Sequence, residues 1–246
     1  MENRMNKNSI EYLKGFAKIV FLAIIGICLS WYVVTYPQDS LVARSVTYHR
    51  IFVLLGQHLY IVFISCSLAI LTAIPTGIFL SRPKYKKWVP RVIGLVNIGQ
   101  TIPGLAIIAL TVGILGIGSK PTIIALWVYS ILPVLNNTLI GMNEVDPAII
   151  EAANGMGMKP GRVLFRVEIP LAIPMIIAGI RTAVTINIGS AILAAFVGGG
   201  GLGDLIITGN NINRWQVLVL GAVIPVLMAL AADAFFEIIE YKTKYI

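Results

Sequence analysis

His58-Leu59-Tyr60-Ile61-Val62-Phe63-Ile64-Ser65-Cys66-Ser67-Leu68-Ala69-Ile70-Leu71-Thr72-Ala73-Ile74-Pro75-Thr76-Gly77-Ile78-Phe79-Leu80-Ser81-Arg82 holds no charged residue between its histidine and its arginine. A transmembrane helix needs roughly 20 mostly apolar residues, and this stretch supplies them. The rest of the chain repeats the pattern. Of 246 residues, 57% are hydrophobic and only 12% charged, with a mean hydropathy of +0.87. A soluble domain carries about a quarter of its residues charged. The apolar excess must therefore face lipid, and the charges cluster in short segments between long neutral runs.

Five further spans follow by the same criterion. The first runs over about residues 16–36 and ends before Pro37; Arg91 and Lys120 bracket the third; residues 121–143 supply the fourth. The fifth begins near residue 170 and continues to about 197, and the sixth occupies 215 to about 239. Pro75, Pro103, Pro133, Pro174 and Pro225 lie inside these spans. Neighbouring helices satisfy the freed carbonyls in a bundle, so the prolines imply kinks and not breaks. The expected fold is an all-α membrane protein of about six transmembrane helices.

Lys and Arg in short loops set the orientation. The loop Arg82-Pro83-Lys84-Tyr85-Lys86-Lys87-Trp88 is strongly basic and continues to Arg91. Arg4, Lys7, Lys14 and Lys18 lie in the N-terminal segment, Lys159, Arg162 and Arg166 lie between the fourth and fifth spans, and Lys242 and Lys244 lie in the C-terminal tail. Six spans place all of these on one side, so both termini are expected in the cytoplasm. The net charge of +8 is thereby explained by topology, with no basic face for nucleic acid. Cys28 and Cys66 sit in apolar runs without CxxC or Cys/His spacing, and His49 and His58 have no metal spacing. Neither disulfide nor metal is expected, and the histidines read as outer-loop or interfacial. No small-residue cleavage site follows the first apolar run, so that span is expected to stay. It is set apart by a polar linker, which reads either as an accessory segment, 1–49, preceding a core at 50–246, or as an ordinary first helix with a long outer loop.

The loop at about 143–169 is the most informative. Asp146-Pro147 is a strong helix start, since the carboxylate caps free amides and Pro suits the first turn. Gly155 and Gly157 end that helix, and Pro160 opens a second one that is expected to stop near Pro170. Within it stand Glu151-Ala152-Ala153, then Gly157, then Val167-Glu168-Ile169-Pro170. This spacing resembles the EAA signature of ABC-importer permeases, with Val and Ile where Ile and Leu are common. The resemblance implies a type I permease core whose coupling helix, carried by Glu151, Ala152, Ala153, Gly157 and Pro170, docks on a separate ATP-binding subunit.

Gln57-His58-Leu59-Tyr60, Asn97-Ile98-Gly99-Gln100-Thr101-Ile102-Pro103-Gly104 and Ala194 through Ile206 extend the likeness. Together they resemble the permeases of osmoprotectant importers for glycine betaine, carnitine and choline, from about Arg50 to the C-terminus. Ergothioneine and methionine importers are the related alternatives. The resemblance implies a multi-pass protein of a prokaryotic cell membrane. Its partners would be an ATPase subunit, a second permease chain (identical or related) and an extracellular solute receptor. No cofactor is expected on this chain, ATP being used by the partner, and no Walker-type motif is present.

Polar residues inside spans face a bundle interior or a watery path. Asn97, Gln100, Asn187 and Ser190 are pathway candidates, against interhelical hydrogen bonding as the simpler reading. Gly198–Gly201 follows a span, and Gly199 and Gly200 are expected at an external gate. Arg181 lies about 16 Å into the fifth span at 1.5 Å per residue. Asp233 lies at a similar depth in the antiparallel sixth, which suggests an intramembrane pair; a fifth helix projecting into the cytoplasm would instead leave Arg181 near the interface. An ion-coupled secondary transporter would call for more deep carboxylates and internal repeats. An intramembrane enzyme would need a His, Cys or carboxylate constellation that the spans lack.

Overall fold

A computed structural model describes residues 2–243. Lys244 lies outside the described residues, as do the side chains of Arg4 and Lys7. The described chain is helical throughout, its one bridge of β type joining Gly118 to Gly198. The helices are α1 (Glu2–Thr35), α2 (Ser40–Ser45), α3 (Tyr48–Leu80), α4 (Val89–Thr101), α5 (Gly104–Leu115) and α6 (Ser119–Asn143). They continue with α7 (Pro147–Gly155), α8 (Pro160–Val163), α9 (Ile169–Ser190), α10 (Gly203–Asn211) and α11 (Trp215–Thr243).

Five helices are long and apolar enough to cross a membrane, within α1, α3, α6, α8–α9 and α11. A sixth comes only from a bent pair taken together, Lys86–Thr101 and Gly104–Leu115, which meet at 91°, as in a broken span or a re-entrant loop. The third span is therefore not one kinked helix but two half-length ones. Ile102 is extended (φ −76°, ψ 128°), as a residue before proline prefers to be, and Pro103 at ψ 132° cannot continue the α4 ladder.

Two other boundaries differ from the sequence reading. α3 starts ten residues before His58, because Thr47 Oγ1 accepts from Arg50 N at 3.2 Å and caps the helix. At 33 residues it is about 50 Å long, well beyond a hydrocarbon core of about 30 Å. His58 is consequently buried within the bundle and does not lie in an outer loop. At the fifth span no stop occurs near Pro170. Leu164–Glu168 forms a π turn, in which Ile169 N donates to Leu164 O, and it joins α8 to α9 as one helix. The extra residue in that turn carries the helix past a proline that cannot donate.

The core is built by close crossings. A Cβ on Gly179 of α9 would lie 2.9 Å from Pro133 O and 3.2 Å from Val134 Cα, so glycine alone permits the α6–α9 contact. Ile61, Leu126, Ala191 and Ala194 fill the centre, and Ala73, Val134, Leu135 and Ala183 extend it. α1 leans on α11, with Gly15 against Ile238 and Gly26 against Leu227. Its Phe16, Phe21 and Ile27 stay exposed, as a lipid-facing surface should be. The crossings place both ends of the described chain, the 82–88 loop and α7–α8 at one rim. α2, the glycine run and α10 lie at the other.

Candidate functional site

At the first rim, Asp146 Oδ1 accepts from Ala148 N at 2.9 Å and starts α7. Its other end closes as a Schellman motif. Met158 N donates to Ala153 O (3.2 Å), Gly157 N donates to Asn154 O (2.9 Å), and Gly157 takes φ +78°. That left-handed turn is where a glycine belongs. Ala153 is buried against the body, whereas Glu151 and Ala152 are exposed. Ile149, Met156 and Phe165 stand out beside them as exposed large apolar side chains. α7 thus presents Ala152, one carboxylate and Ile149 on a doubly capped turn, flanked by Met156 at its C-cap and Phe165 of the π turn. Pro170 lies in the first turn of α9, behind this surface.

Glu168, between the two, is buried. Arg82 Nη1 donates to its Oε1 at 2.9 Å, and Nη2 donates to Oε2 at 2.5 Å. This fork joins the end of α3 to the π turn. Sequence reasoning missed it, although a carboxylate set between Val167 and Ile169-Pro170 was a signal that a cation must meet it.

At the opposite rim the glycine run is fastened on several sides. Gly201 N donates to Gln57 Oε1 at 3.0 Å, Gly118 N donates to Val197 O at 2.8 Å and Gly199 N to Ala194 O at 2.8 Å. Gly198, Gly200 and Gly201 hold φ of +69°, +73° and +84°, which L side chains rarely adopt. A Cβ on Gly199 would lie 3.1 Å from Ser119 Cα. His58, beside Gln57, meets Ile188 O through Nε2 at 2.9 Å. Arg50 bonds Asp204 (2.8 Å) and Thr208 (3.0 Å), tying α3 to α10. Nearby, Asp39 accepts from Val42 N and from Arg214, and these bonds hold its carboxyl below the usual carboxylate range.

The polar residues of the spans do not converge on one cavity. Asn187 is sealed between three helices. Its Nδ2 donates to Ser65 Oγ (3.0 Å) and meets Cys66 Sγ (3.1 Å), and its Oδ1 accepts from Ser130 Oγ (2.7 Å). Gln100 Nε2 donates to Tyr129 O at 2.7 Å, while Asn97 is exposed and Ser190 half-buried at the end of α9. Among the described residues no hydrogen bond links Asn97 or Gln100 to Asn187. Tyr129 in turn donates its hydroxyl to Ile102 O.

Arg181 and Asp233 are brought together by two bonds, Nε to Oδ1 at 2.6 Å and Nη2 to Oδ2 at 2.9 Å. Glu240 adds a third contact at 3.3 Å and Glu237 a fourth at 4.0 Å. The two glutamates follow Asp233 at helical spacing, so one face of α11 surrounds a single guanidinium. No group of three or more His, Cys, Asp or Glu among the described residues could hold a metal ion.

A family model described as the binding-protein-dependent transport system inner membrane component matches residues 73–245. The glycine betaine/carnitine/choline transport system permease protein of Bacillus subtilis is 46% identical over 187 residues, covering 76% of this chain and 85% of that protein. The osmoprotectant import permease protein of Salmonella typhimurium is 41% identical over 230 residues, covering 93% and 94%. That second match is too long to leave α1 out, so the likeness reaches beyond the region from Arg50 onward. Among solved structures, a chain of the MetNI methionine ABC transporter in an inward-facing conformation has a TM-score of 0.70 at 22% identity. It covers 79% of this chain and 96% of that one, and the likeness at that identity is one of fold.

Proposed function

Since the chain belongs to the family of inner membrane components of binding-protein-dependent transport systems, we propose that it carries compatible solutes of the quaternary-amine class, glycine betaine, carnitine and choline among them. It is a multi-pass permease subunit of the cell membrane, and its family works with an ATP-binding subunit and a substrate-binding protein. The cargo reading rests on one observation, identity above 40% with two permeases named for such solutes, across most of each protein.

In this reading the rim bearing α7 is cytoplasmic, as the basic 82–91 loop requires by the positive-inside rule. Glu151 and Ala152 meet the ATPase: the small Ala152 permits close approach and Glu151 faces a basic group. Ala153, expected at the same surface, is buried and seats α7 on the body. Gly157 fixes the angle of the turn, and Pro170 marks where the driven helix enters the membrane. The glycine run with Gly199 and Gly200 serves as the external gate, and an extracellular receptor delivers solute there. Residues 50–246 form the permease core with 1–49 as an accessory segment. A second permease chain completes the path, of which this chain forms half. The chain binds no cofactor of its own and ATP is consumed by its partner.

Asn97, exposed on α4, is the pathway candidate we retain; Asn187 and Gln100 are held in hydrogen bonds between helices. Liposomes holding the chain, its ATPase and its receptor should accumulate labelled glycine betaine only with ATP inside the coupling compartment. Excess carnitine or choline should compete. Accumulation of methionine or ergothioneine, with none of the three amines, would reassign the cargo.

A further inference from the structure

α8, the π turn and α9 form one continuous helix. A push on α7 and α8 therefore reaches α9 along the backbone and needs no side chain to carry it. α3 and α4 have no such connection, since the chain leaves α3 near Ser81 and returns to this rim only through α6. Something must carry the movement sideways if the helices are to change access together. Ile74 and Ile78 of α3 do touch the Met142–Ala172–Ile176 cluster, but apolar contact is non-directional and tolerates sliding. A two-bond fork between guanidinium and carboxylate fixes both distance and angle.

Resting on the permease reading above, we propose that Arg82 and Glu168 are positioning residues for transport: their fork passes the stroke of the α7–α8 element from α9 into α3 and α4. Each end is built to transmit. Arg82 is held from behind, its Nε and Nη2 lying 3.3 and 3.0 Å from Ser81 Oγ, which itself donates to Ile78 O at 2.8 Å. The Arg82 carbonyl accepts from Tyr85 N (2.9 Å) and Lys86 N (3.1 Å), and Tyr85 stacks on Phe79 with ring centroids 3.8 Å apart. The guanidinium thus moves with the last turn of α3 and the loop into α4. At the other end only 8% of the Glu168 side chain is exposed, and both its oxygens are committed to Arg82. It sits in the π turn, where the ladder of this helix changes register between α8 and α9.

Glu168 is buried, but 30% of the Arg82 side chain is exposed. Neither a buried nor a half-exposed ion pair adds much net stability compared with packed apolar residues, so stability alone does not account for this one. That also supplies the test. Arg82→Met with Glu168→Leu removes the fork while leaving no unpaired charge, and Arg82→Gln breaks it from one side. Each variant is assembled as the full complex with ATPase and receptor in liposomes, and ATP hydrolysis and labelled glycine betaine uptake are read in the same vesicles.

We expect the double variant to co-purify with the ATPase and hydrolyse ATP within about twofold of wild type. Uptake should fall about tenfold, so that ATP spent per solute rises, a change of the size expected for a coupling residue. Unchanged uptake per ATP, or hydrolysis and uptake falling in proportion, would overturn the proposal. Should the double variant not assemble, Arg82→Lys, which keeps the charge and loses the fork, must still raise ATP spent per solute. Wild-type uptake that needs no ATP would instead remove the permease reading itself, and is checked first.

Discussion

Gly200 shows how narrowly a single position is constrained. Its φ is +73°, and a Cβ there would lie 2.1 Å from Gln57 Oε1, the atom that receives the Gly201 amide. A β-branched side chain meets both a left-handed penalty of roughly 1–2 kcal/mol and the displacement of that acceptor. Gly200→Val should lower uptake by roughly tenfold, the factor that about 1.4 kcal/mol commands, without loss of ATPase binding. Unchanged uptake would detach the glycine run from the gate. Asn187 makes the opposite case. Its partners Ser65 and Ser130 also bond carbonyls of their own helices, and interhelical bonds in membranes average about 0.6 kcal/mol, reaching about 1.7. Asn187→Ala should therefore cost about 1 kcal/mol of stability, read as a small fall in Tm, with the KM for solute unchanged. A shifted KM at constant Tm would return Asn187 to the pathway. The sequence marks Asn187 as an exception but not its partners, because a polar residue in a span reads the same whether it faces water or two serines.

Among the elements, the α4–α5 bend and α6 stabilise each other through their prolines. Pro133 cannot donate to Tyr129 O, which the helical i→i−4 ladder would otherwise use, and Gln100 of α4 donates to it instead. At the bend, Ala106 N turns to Pro103 O (2.8 Å), so Ile102 O is left without its ladder donor, and the Tyr129 hydroxyl donates to it. Each break supplies what the other lacks. In Pro133→Ala the restored amide can satisfy Tyr129 O, so adding Gln100→Ala should then cost little. A double-mutant cycle on Tm should give a coupling of about 1 kcal/mol between the two sites; strict additivity would contradict the exchange. The spans themselves were legible because lipid demands long apolar runs. The 91° bend was not, since a proline inside a span is compatible with a kink or a break. The choice depends on whether another helix offers a donor and an acceptor. The continuous α8–α9 helix was hidden for a similar reason: the π turn that carries it past Pro170 has no distinctive residue pattern.

On the scale of the molecule, charge is spent at three levels. Arg50–Asp204 and Arg214–Asp39 tie helices at one rim, Arg82–Glu168 at the other, and Arg181 meets Asp233 between α9 and α11. Helix rise alone puts Arg181 and Asp233 at matching depths. The arrival of Glu237 and Glu240 depends on which face α11 turns inward, and Arg82–Glu168 spans 86 positions of sequence, a pairing set by the fold. Removing one partner of such a pair leaves the other charge uncompensated among packed helices, so Arg181→Ala should strand Asp233 and lower Tm and uptake together. Removing Asp233 as well should recover part of the loss, and additive defects would contradict the pairing. The account stands most directly on α7 being driven by another subunit. ATP-dependent uptake by the reconstituted complex, compared between wild type and Glu151→Lys at equal membrane insertion, measures this. Uptake that requires ATP and is abolished by the lysine is the predicted result. Uptake without any ATPase, or uptake indifferent to Glu151→Lys, would contradict it.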